Sequence, residues 1–483
     1  MNEVPVDLLI IGAGISGIGA AYHLQKNCPG KSYSIIEARS EIGGTWDLFR
    51  YPGIRSDSSM YTFGYIFKPW VSDKAISPGE DIRQYLNEAA TENGIRENIC
   101  FNKRLTRASW CSKSALWSCT IENPETNTVD TLQSRFLFYG GGYYNYQQGY
   151  TPEFKDRESF NGTVIHPQHW PQSLDYSDKN IVVIGSGATA VTLVPTLAQT
   201  AKKVTMLQRS PTYIVAMPEQ DVFANRLKRF LPARLAYQLA RWKGILYGMY
   251  TFQLARRKPH LVKQFLINAV KEQLGEEFDI ETHFTPSYNP WDQRLCLVPN
   301  GDLFKSIKNG SADVVTDHID CFTDTGIQLK SGEHLPADII VTATGLNMEV
   351  CSGLKIYVDD SEIDFADTFS YKGMMLSGIP NFAFSMGYTN ASWTLKSDLI
   401  SAYFCKLINH IDENGLRYCQ PVLPADGIEE DAIMDFSSGY VMRAMEKMPK
   451  QGKSKPWRLY QNYVLDKLSL GLGSVQDPSI HFG

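Results

Sequence analysis

An α/β fold is predicted for this chain of 483 residues, because one local pattern occurs twice in it. The apolar runs 8–11 and 181–184 are typical of buried parallel strands, and each is followed at once by a glycine-rich loop and a segment of helical periodicity. A strand, a tight glycine loop and a helix form the first half of a Rossmann-like unit. The sequence therefore predicts two Rossmann-like dinucleotide-binding domains, with a helical insertion at about 215–285.

The composition is that of an ordinary globular protein, with 43% hydrophobic and 20% charged residues and a formal net charge of −5. This charge does not favour a nucleic-acid partner. No stretch approaches the roughly 18 uninterrupted apolar residues of a membrane span. The nine cysteines show no C-x-x-C spacing typical of a metal or redox site, so we expect reduced thiols, no bound metal and a cytoplasmic protein.

The first glycine loop has every part of a dinucleotide site. Its glycines, Gly12, Gly14 and Gly17, allow in turn a tight turn, close approach of the backbone to a pyrophosphate, and close packing of helix on strand. The next strand, 33–36, ends at Glu37, which is placed to accept a hydrogen bond from a ribose hydroxyl. A glycine- and aromatic-rich loop follows at 43–57, and it favours a large, permanently held cofactor such as FAD.

The second loop differs at the position that selects the nucleotide. Gly185-x-Gly187-x-x-Ala190 is followed by a strand at 203–207, and nineteen residues after Ala190 stands Arg209 instead of an acid. A guanidinium pairs with a 2′-phosphate, which an acid would repel, so we predict NADPH at this site. The alternative is that Arg209 is only a solvated charge at a strand end. FAD followed by NADPH implies hydride transfer from nicotinamide to flavin.

Two further strands that run into glycines, at 136–142 and 338–345, predict the crossings between the domains. We expect the FAD-binding domain at 1–144 and 347–483, and the NADPH-binding domain at 145–346. Within the insertion, residues 222–271 carry eleven Lys or Arg and no Asp or Glu. A basic amphipathic stretch is able to lie on a membrane, but a solvated helical subdomain over a cleft is the favoured interpretation.

A segment between the two loops resembles a known family. It reads Phe160-x-Gly162-x-x-x-His166-x-x-x-Trp170-Pro171 and is similar to the fingerprint of the type I Baeyer–Villiger monooxygenases, which are class B flavoprotein monooxygenases. The loop 43–57 resembles the family's second motif, and this loop together with 288–298, 374–380 and 387–395 is similar to the bacterial ethionamide-activating subgroup. The Trp170-Pro171 ending distinguishes this branch from the related N-oxygenating flavin monooxygenases.

The resemblance implies an activity and a class of substrate. Such an enzyme uses NADPH and O₂ to insert oxygen next to a ketone carbonyl, through a C4a-peroxyflavin, and forms esters or lactones. It also oxygenates sulfides or thioamides, so the expected partners are a small ketone or sulfide and O₂. The sequence does not name the physiological substrate. Three alternatives are an N- or S-oxygenating flavin monooxygenase without ester formation, a disulfide reductase and a non-enzymatic NADPH sensor. A disulfide reductase needs a redox cysteine pair, and none of the nine cysteines has the required spacing.

The resemblance also implies the site residues, position by position. The expected FAD contacts are Gly12, Gly14, Ser16, Gly17, Glu37, Gly44, Thr45, Trp46, Asp47, Leu48, Asp57 and Leu105. The expected NADP contacts are Arg55, Ser56, Asp57, Ser186, Gly187, Ala188, Thr189, Ala190, Arg209 and Ser210.

The catalytic residues implied by the resemblance are Arg294 and Asp57. Arg294 matches the family's active-site arginine, a permanent cation that would stabilise an anion during oxygen transfer, and Asp57 would orient it. Other branches often have Lys before this arginine, whereas this chain has Gln293, which leaves Arg209 a larger part in binding the phosphate. His166 is expected to couple domain rotation through a hydrogen bond, and Trp170 to pack. Two further tryptophans, Trp393 and Trp457, are candidates for the cleft wall or the core.

Overall fold

Strands and helices alternate around each glycine loop, as predicted. The computed structural model describes residues 4–434 and 436–483. The strands are, in chain order, β1 Val6–Ile11, β2 Tyr33–Ile36, β3 Ile99–Cys100, β4 Arg104–Cys111, β5 Leu116–Glu122, β6 Val129–Tyr139, β7 Thr163–Ile165, β8 Asn180–Ile184, β9 Lys203–Gln208, β10 Ile214–Met217, β11 Cys296–Pro299, β12 Ala312–Thr316, β13 Ile319–Thr323, β14 Gly326–Leu329, β15 His334–Pro336, β16 Ile339–Thr342, β17 Lys355–Val358, β18 Ser361–Glu362, β19 Ser370–Tyr371, β20 Met375–Leu376, β21 Phe382–Phe384, β22 Cys419–Pro421, β23 Glu430–Ala432, β24 Lys450–Gly452 and β25 Ile480–Phe482.

The helices fall into an N-terminal set, a single helix after the second glycine loop, a run in the insertion and a set after residue 300. They are α1 Ile15–Asn27, α2 Thr45–Leu48, α3 Met60–Phe63, α4 Gly79–Glu92, α5 Ala188–Leu197, α6 Val222–Phe230, α7 Ala233–Arg257, α8 Pro259–Leu274, α9 Ile280–Phe284, α10 Asp302–Lys308, α11 Trp393–Glu413, α12 Gly439–Ala444 and α13 Tyr463–Asp466, with a π-helical turn at Lys467–Leu472.

The first sheet has nine strands, in the order β18-β17-β4-β5-β6-β1-β2-β3, with β21 also paired to β6. At its centre β1 is parallel to both β2 and β6. Alternate residues of β1 face two different cores: Ile10 packs in the core that contains α1 and α11, and Leu9 packs in the core on the other side. Burial on both faces explains why this strand is a continuous apolar run in the sequence.

The second sheet has five strands, all parallel, in the order β12-β9-β8-β16-β7. Here too the central strand divides its side chains between two cores, with Val183 on one face and Val182 on the other. Each sheet thus has the doubly covered parallel centre of a Rossmann-like domain. The predicted α/β fold with two such domains is confirmed.

The chain passes from the first sheet to the second after β6 and returns before β17. A first domain of residues 1–144 and 347–483 and a second of 145–346 would divide the two sheets in this way. We retain these boundaries as a proposal. Between 222 and 284 the chain forms the helices α6 to α9. The guanidinium of Arg241 in α7 is buried and donates hydrogen bonds to the carbonyls of Tyr61, Thr62 and Gly64, at 3.3, 3.1 and 2.6 Å, which attaches the insertion to the first domain.

Candidate active site

A cavity of about 450 Å³ lies at the carboxyl ends of the central strands of the first sheet. Its wall is formed by the segments that follow β1, β2 and β6, together with Asp57, Arg294 and the first residue of α11, Trp393. In open α/β sheets, ligands bind in the crevice outside the carboxyl ends of the strands. The position of the cavity is therefore the one that the first glycine loop predicted.

Backbone approaches backbone closely along the glycine side of this cavity. Gly12 has φ +94°, and a Cβ on it would lie 3.0 Å from the carbonyl oxygen of Gly140. A Cβ on Gly14 would lie 3.6 Å from the Cα of Gly44, so both walls of the slot are bare glycine. Gly14 is also the N-cap of α1 and provides no side-chain cap, which leaves the first N–H groups of a 13-residue helix for a ligand. Such a helix end favours an anion such as a pyrophosphate.

Glu37 lines the same cavity and is fixed by the loop around it. One carboxylate oxygen accepts the backbone N–H of Ala13 at 2.7 Å, and the other accepts that of Arg39 at 2.9 Å. Burial raises the pKa of this carboxyl group, against the effect of the two hydrogen bonds. A carboxylate has about four lone-pair sites, so acceptor capacity is left for a ribose hydroxyl.

Arg294 and Asp57 form an ion pair in the cavity wall. Arg294 Nη2 lies 2.7 Å from Asp57 Oδ2, and the two side chains are 37% and 44% exposed, so both face the open space. The Asp57 carboxylate raises the pKa of Arg294 above its already high usual value. The guanidinium is therefore a permanent cation at the cavity surface.

Tyrosines surround this ion pair, and none of them was among the predicted site residues. Tyr143 and Tyr144 share a hydrogen bond between their hydroxyls at 3.0 Å, and the Tyr143 ring stacks on Trp393 at a centroid distance of 5.2 Å. Burial raises the pKa of both hydroxyls, and it raises that of Tyr440 to about 12, so all three are neutral. The signal for Tyr143 and Tyr144 was the run Tyr-Tyr-Asn-Tyr directly after the glycines at 140–142, since residues that follow a central parallel strand lie at the crevice.

Most of the predicted FAD contacts lie in the cavity wall. These are Gly12, Gly14, Ser16, Glu37, Gly44, Thr45, Trp46, Asp57 and Leu105. Within the described chain, the wall does not include Gly17, Asp47 or Leu48. The Asp47 carboxylate lies between the guanidinium groups of Arg39 and Arg50, Leu48 is buried, and Gly17 packs against the Gly12 carbonyl. Contact of these three with FAD stays a prediction.

The predicted NADP residues form a second group at the carboxyl end of β8. Gly187 is the N-cap of α5, and Ser186 Oγ donates a hydrogen bond to the Ser210 carbonyl at 3.1 Å, which joins the two predicted segments. The helix starts at Ala188 and continues through Thr189 and Ala190. Arg209 is exposed and forms no ion pair with any described residue. Its guanidinium is therefore available to an external anion.

Two predicted NADP residues are engaged with protein groups instead. Arg55 pairs with Asp302, with Nη1 2.5 Å from Oδ2. The hydroxyl of Ser56 is buried and accepts the backbone N–H of Ser77 at 3.0 Å. Their contact with NADP stays a prediction.

The fingerprint segment lies between the two crossings that connect the sheets. His166 Nε2 is 3.1 Å from the carbonyl oxygen of Gly345, and a Cβ on Gly149 would lie 2.0 Å from the His166 ring. Burial lowers the pKa of His166, so the ring is neutral. Trp170 is buried in the core of the second domain. The hydrogen bond joins the fingerprint to the end of the proposed 145–346 domain, next to the second crossing, and a role in domain rotation stays a prediction.

The remaining fingerprint positions serve packing. Phe160 is buried with its ring centroid 6.4 Å from that of Phe322, and a Cβ on Gly162 would lie 2.4 Å from the Asp338 carbonyl oxygen. Pro171 follows the buried Trp170. Of the two other tryptophans, Trp393 lines the cavity and Trp457 lies in the core.

Comparisons with known proteins decide the family. Residues 10–73 match the NAD(P)-binding Rossmann-like domain, and residues 75–363, more than half of the chain, match the flavin-binding monooxygenase-like family. The chain belongs to the flavin-binding monooxygenase-like family. It is 51% identical over 478 residues to the FAD-containing monooxygenase EthA of Mycobacterium tuberculosis, covering 99% of this chain and 97% of the relative. It is 47% identical over 484 residues to the probable FAD-binding monooxygenase AlmA of Acinetobacter baylyi, with coverages of 99% and 96%.

Two solved structures share the fold of this chain over its whole length. An oxidized steroid monooxygenase bound to NADP matches with a TM-score of 0.79 at 20% identity, covering 99% of each chain. OTEMO in complex with FAD and NADP matches with a TM-score of 0.74 at 20% identity, also over 99% of each chain. The resemblance inferred from the sequence motifs is confirmed at the level of the family, and the prediction of FAD and NADP(H) as its cofactors is confirmed with it.

The residues around the first glycine loop of this chain fit FAD. The all-glycine slot, the uncapped start of α1 and the acceptor Glu37 are the groups that a pyrophosphate and a ribose require. The cavity continues from this slot to Arg294, so the residues that would hold FAD and this cation line one continuous space.

Replacing Arg209 by alanine is expected to weaken the binding of NADPH while leaving the binding of NADH nearly unchanged. A hydrogen bond to a charged group contributes about 1.5–3 kcal/mol, so kcat/KM for NADPH should fall about thirtyfold while that for NADH changes little. Steady-state flavin reduction with each nucleotide measures this. The matched control is Lys202→Ala, an exposed cation in the same domain. An equal loss with both nucleotides would contradict the phosphate-binding role.

Replacing His166 by alanine is expected to lower the free energy of unfolding by about 1–3 kcal/mol, because the Gly345 carbonyl loses its partner. Since burial lowers the pKa of His166, protonation favours the unfolded chain. The difference from wild type should therefore shrink as the pH falls below about 6.5, the value in the unfolded chain. Denaturant titrations at several pH values test this, with exposed His169→Ala as the control. A difference that grew toward acid pH would contradict it.

Proposed function

We propose that this flavin-binding monooxygenase is a Baeyer–Villiger enzyme, which inserts an oxygen atom next to a ketone carbonyl and gives an ester or lactone. The reaction consumes ketone, O₂, NADPH and a proton, and it releases ester, NADP⁺ and water. The proposal includes oxygenation of sulfides and thioamides at the same site. The observation that carries it is the Arg294–Asp57 ion pair in the wall of the flavin cavity.

The residues that would hold the cofactors are those already placed around the two loops. The slot at Gly12 and Gly14, with Glu37, would hold FAD, and Ser186 to Ala190 with Arg209 would hold NADPH. When bound, FAD supplies the activation of O₂ and its transfer to the substrate. The protein must then place the substrate carbonyl, keep water out and stabilise the charge that develops.

Arg294 is suited to the last of these tasks. Addition of oxygen to a carbonyl develops negative charge, and a fixed cation in a water-poor site stabilises such charge by several kcal/mol. The 2.7 Å ion pair with Asp57 fixes the direction of the guanidinium. The neutral hydroxyls of Tyr143, Tyr144 and Tyr440 add no negative charge beside it, since burial raises the pKa of each.

The cysteines do not support the disulfide reductase alternative. All nine lie within the described residues, and all are free thiols. Cys296, which is close to Arg294 in the chain, is buried, and burial raises its pKa to about 12. A thiol in this state is a poor nucleophile. Free thiols also fit the cytoplasm, where we propose that the enzyme works.

Anaerobic reduction followed by O₂ tests the proposed function. The purified enzyme is bleached with NADPH and then mixed with aerated buffer containing a ketone or a sulfide, and ester, sulfoxide and H₂O₂ are quantified together. We expect ester from the ketone and sulfoxide from the sulfide. Sulfoxide without any ester would favour the N- or S-oxygenating alternative. H₂O₂ equal to the NADPH consumed, with no oxygenated product, would overturn the monooxygenase assignment.

A further inference from the structure

The outer face of α7 is apolar, although it faces away from the protein. Its exposed residues Leu235, Leu239, Trp242, Leu246 and Tyr250 recur at helical spacing and fall on one side of the helix, which we call the α7 stripe. The opposite side carries the buried residues of this helix, including Ala236, Tyr237 and Ala240. Apart from an edge contact between the Trp242 ring and Tyr463, at a centroid distance of 5.8 Å, the α7 stripe leaves large apolar side chains exposed, which a solvated subdomain does not require.

Exposed apolar residues also occur on α6 and α8, the helices that pack against α7. Phe230, the last residue of α6, is 84% exposed, and Phe265 on α8 is 70% exposed. On the C-terminal side, Lys467 Nζ lies 4.6 Å from the centre of the Trp242 ring, and the neighbouring Leu468 and Leu472 are exposed. Soluble monomers rarely present so many large apolar side chains together, and such a patch marks an interaction surface.

The segment that carries this patch is rich in cations, and three of them, Lys228, Lys243 and Arg256, are paired with the acids Asp73, Asp221 and Asp292. Residues 222–271 contain eleven Lys or Arg and no acid. Five of these cations form no ion pair with any residue of the part of the chain that the structure describes: Arg226, Arg229, Arg234, Arg257 and Lys258. They lie on α6 and at the two ends of the α7 stripe. The patch is therefore apolar in the middle and cationic at its edge.

We infer that the α7 stripe and its flanking phenylalanines dock the enzyme on the surface of an anionic lipid bilayer. Apolar side chains on one face of a helix, with Trp and Tyr among them and cations at the border, are the composition of a helix that lies in the interface plane. A second copy of the chain is disfavoured as the occupant, because a symmetric dimer places the same positive edge against itself. No helix among the described residues has the length and hydropathy to cross a bilayer, so contact would be at the surface.

The docked helix would lie close to the cavity. Ile245, on the buried side of α7, packs in one cluster with Tyr388, Leu395 and Tyr463, and Tyr388 lines the cavity. One hydrophobic cluster thus extends from the buried side of α7 to the cavity wall. This arrangement suits substrates that partition into lipid, and that consequence rests on the proposed function, whereas the docking itself does not.

Vesicle binding by the FAD-loaded enzyme tests the inference. The partition coefficient is measured by co-sedimentation with vesicles of phosphatidylcholine alone and with vesicles containing equal amounts of phosphatidylglycerol. We expect binding to the anionic vesicles that falls as salt is raised. The triple variant Trp242→Ser, Leu246→Ser, Tyr250→Ser should bind about a hundredfold more weakly. The matched control, Val129→Ser with Val422→Ser, removes exposed apolar side chains elsewhere and should bind as the wild type does.

A second variant tests the same binding if the triple variant folds poorly. Arg257→Gln with Lys258→Gln removes two exposed charges and should weaken binding to anionic vesicles about twentyfold. Trp242 is the exposed member of the nine tryptophans, so brominated lipid should quench fluorescence in the wild type and less in Trp242→Phe.

Two results would overturn the inference. One is wild-type binding to anionic vesicles no stronger than to neutral vesicles. The other is a triple variant that binds vesicles normally but changes from dimer to monomer in light scattering, which would make the face an interface between copies. NADPH-dependent bleaching is recorded in each case, so a failure of docking is distinguishable from a failure of the proposed function.

Discussion

Replacing Arg294 by alanine should lower ketone oxygenation about a thousandfold while leaving reduction by NADPH nearly unchanged. Loss of one group that stabilises developing charge costs about 10²–10³ in rate, and Arg294 is the cation that faces the flavin cavity beside Asp57. The NADPH that the variant consumes should appear as H₂O₂. Because Asp57 raises the pKa of Arg294 above its usual value, no accessible pH removes this charge, and substitution is the way to test it.

Three measurements distinguish this role from a structural one. Stopped-flow bleaching by NADPH reports reduction, ester yield reports oxygen transfer, and the melting temperature reports folding. Arg294→Lys should recover part of the ester yield, since it restores the charge without the planar guanidinium. The matched control is Arg96→Ala, which removes an exposed arginine whose side chain contacts Asn87. Normal ester yield from Arg294→Ala would remove this residue from the proposed mechanism.

Asp57→Asn separates orientation from charge at the same site. The amide still offers an oxygen to Arg294, but it no longer carries the charge that holds the guanidinium. Ester formation should therefore fall less than in Arg294→Ala.

The two nucleotide loops were predictable because their requirements are local. A buried parallel strand needs a run of apolar residues, and the turn after it needs glycines at fixed positions, so residues 8–17 and 181–190 show both in sequence order. The predicted acid also lies where the loop requires it, because Glu37 accepts hydrogen bonds from the turn itself.

The rest of the site depends on contacts between distant segments. No local sequence pattern predicts that Arg294 lies beside Asp57, and only the family resemblance indicated that pair. Tyr143 stacks on Trp393 because β6 ends and α11 begins at the same edge of the sheet, which no local pattern shows. The sequence showed that α7 is basic, but it did not show which face of the helix is exposed. Arg241 is buried against the first domain, and the leucines of the α7 stripe lie on the outward face.

Replacing Gly17 by alanine should abolish FAD retention and destabilise the first domain. Gly17 lies in the first turn of α1, and a Cβ there would lie 1.9 Å from the carbonyl oxygen of Gly12. The obstacle is backbone, so no side-chain rotation relieves it, and the strand, loop and helix would have to separate. Forcing extra atoms into a packed core costs about 1–3 kcal/mol or more, and each 1.4 kcal/mol of lost binding lowers affinity about tenfold.

FAD content per chain after purification and the melting temperature of the variant measure this effect. Gly248→Ala is the matched control, because Gly248 also lies in a helix and a Cβ there meets no atom within 4 Å. That change should keep the FAD and stabilise the helix by about 1 kcal/mol. The two substitutions add the same methyl group, but Gly17→Ala should lower the melting temperature and Gly248→Ala should raise it. A difference between them therefore reports the close approach of α1 to the Gly12 turn. A Gly17→Ala protein with wild-type FAD content and melting temperature would show that FAD binding does not depend on that approach.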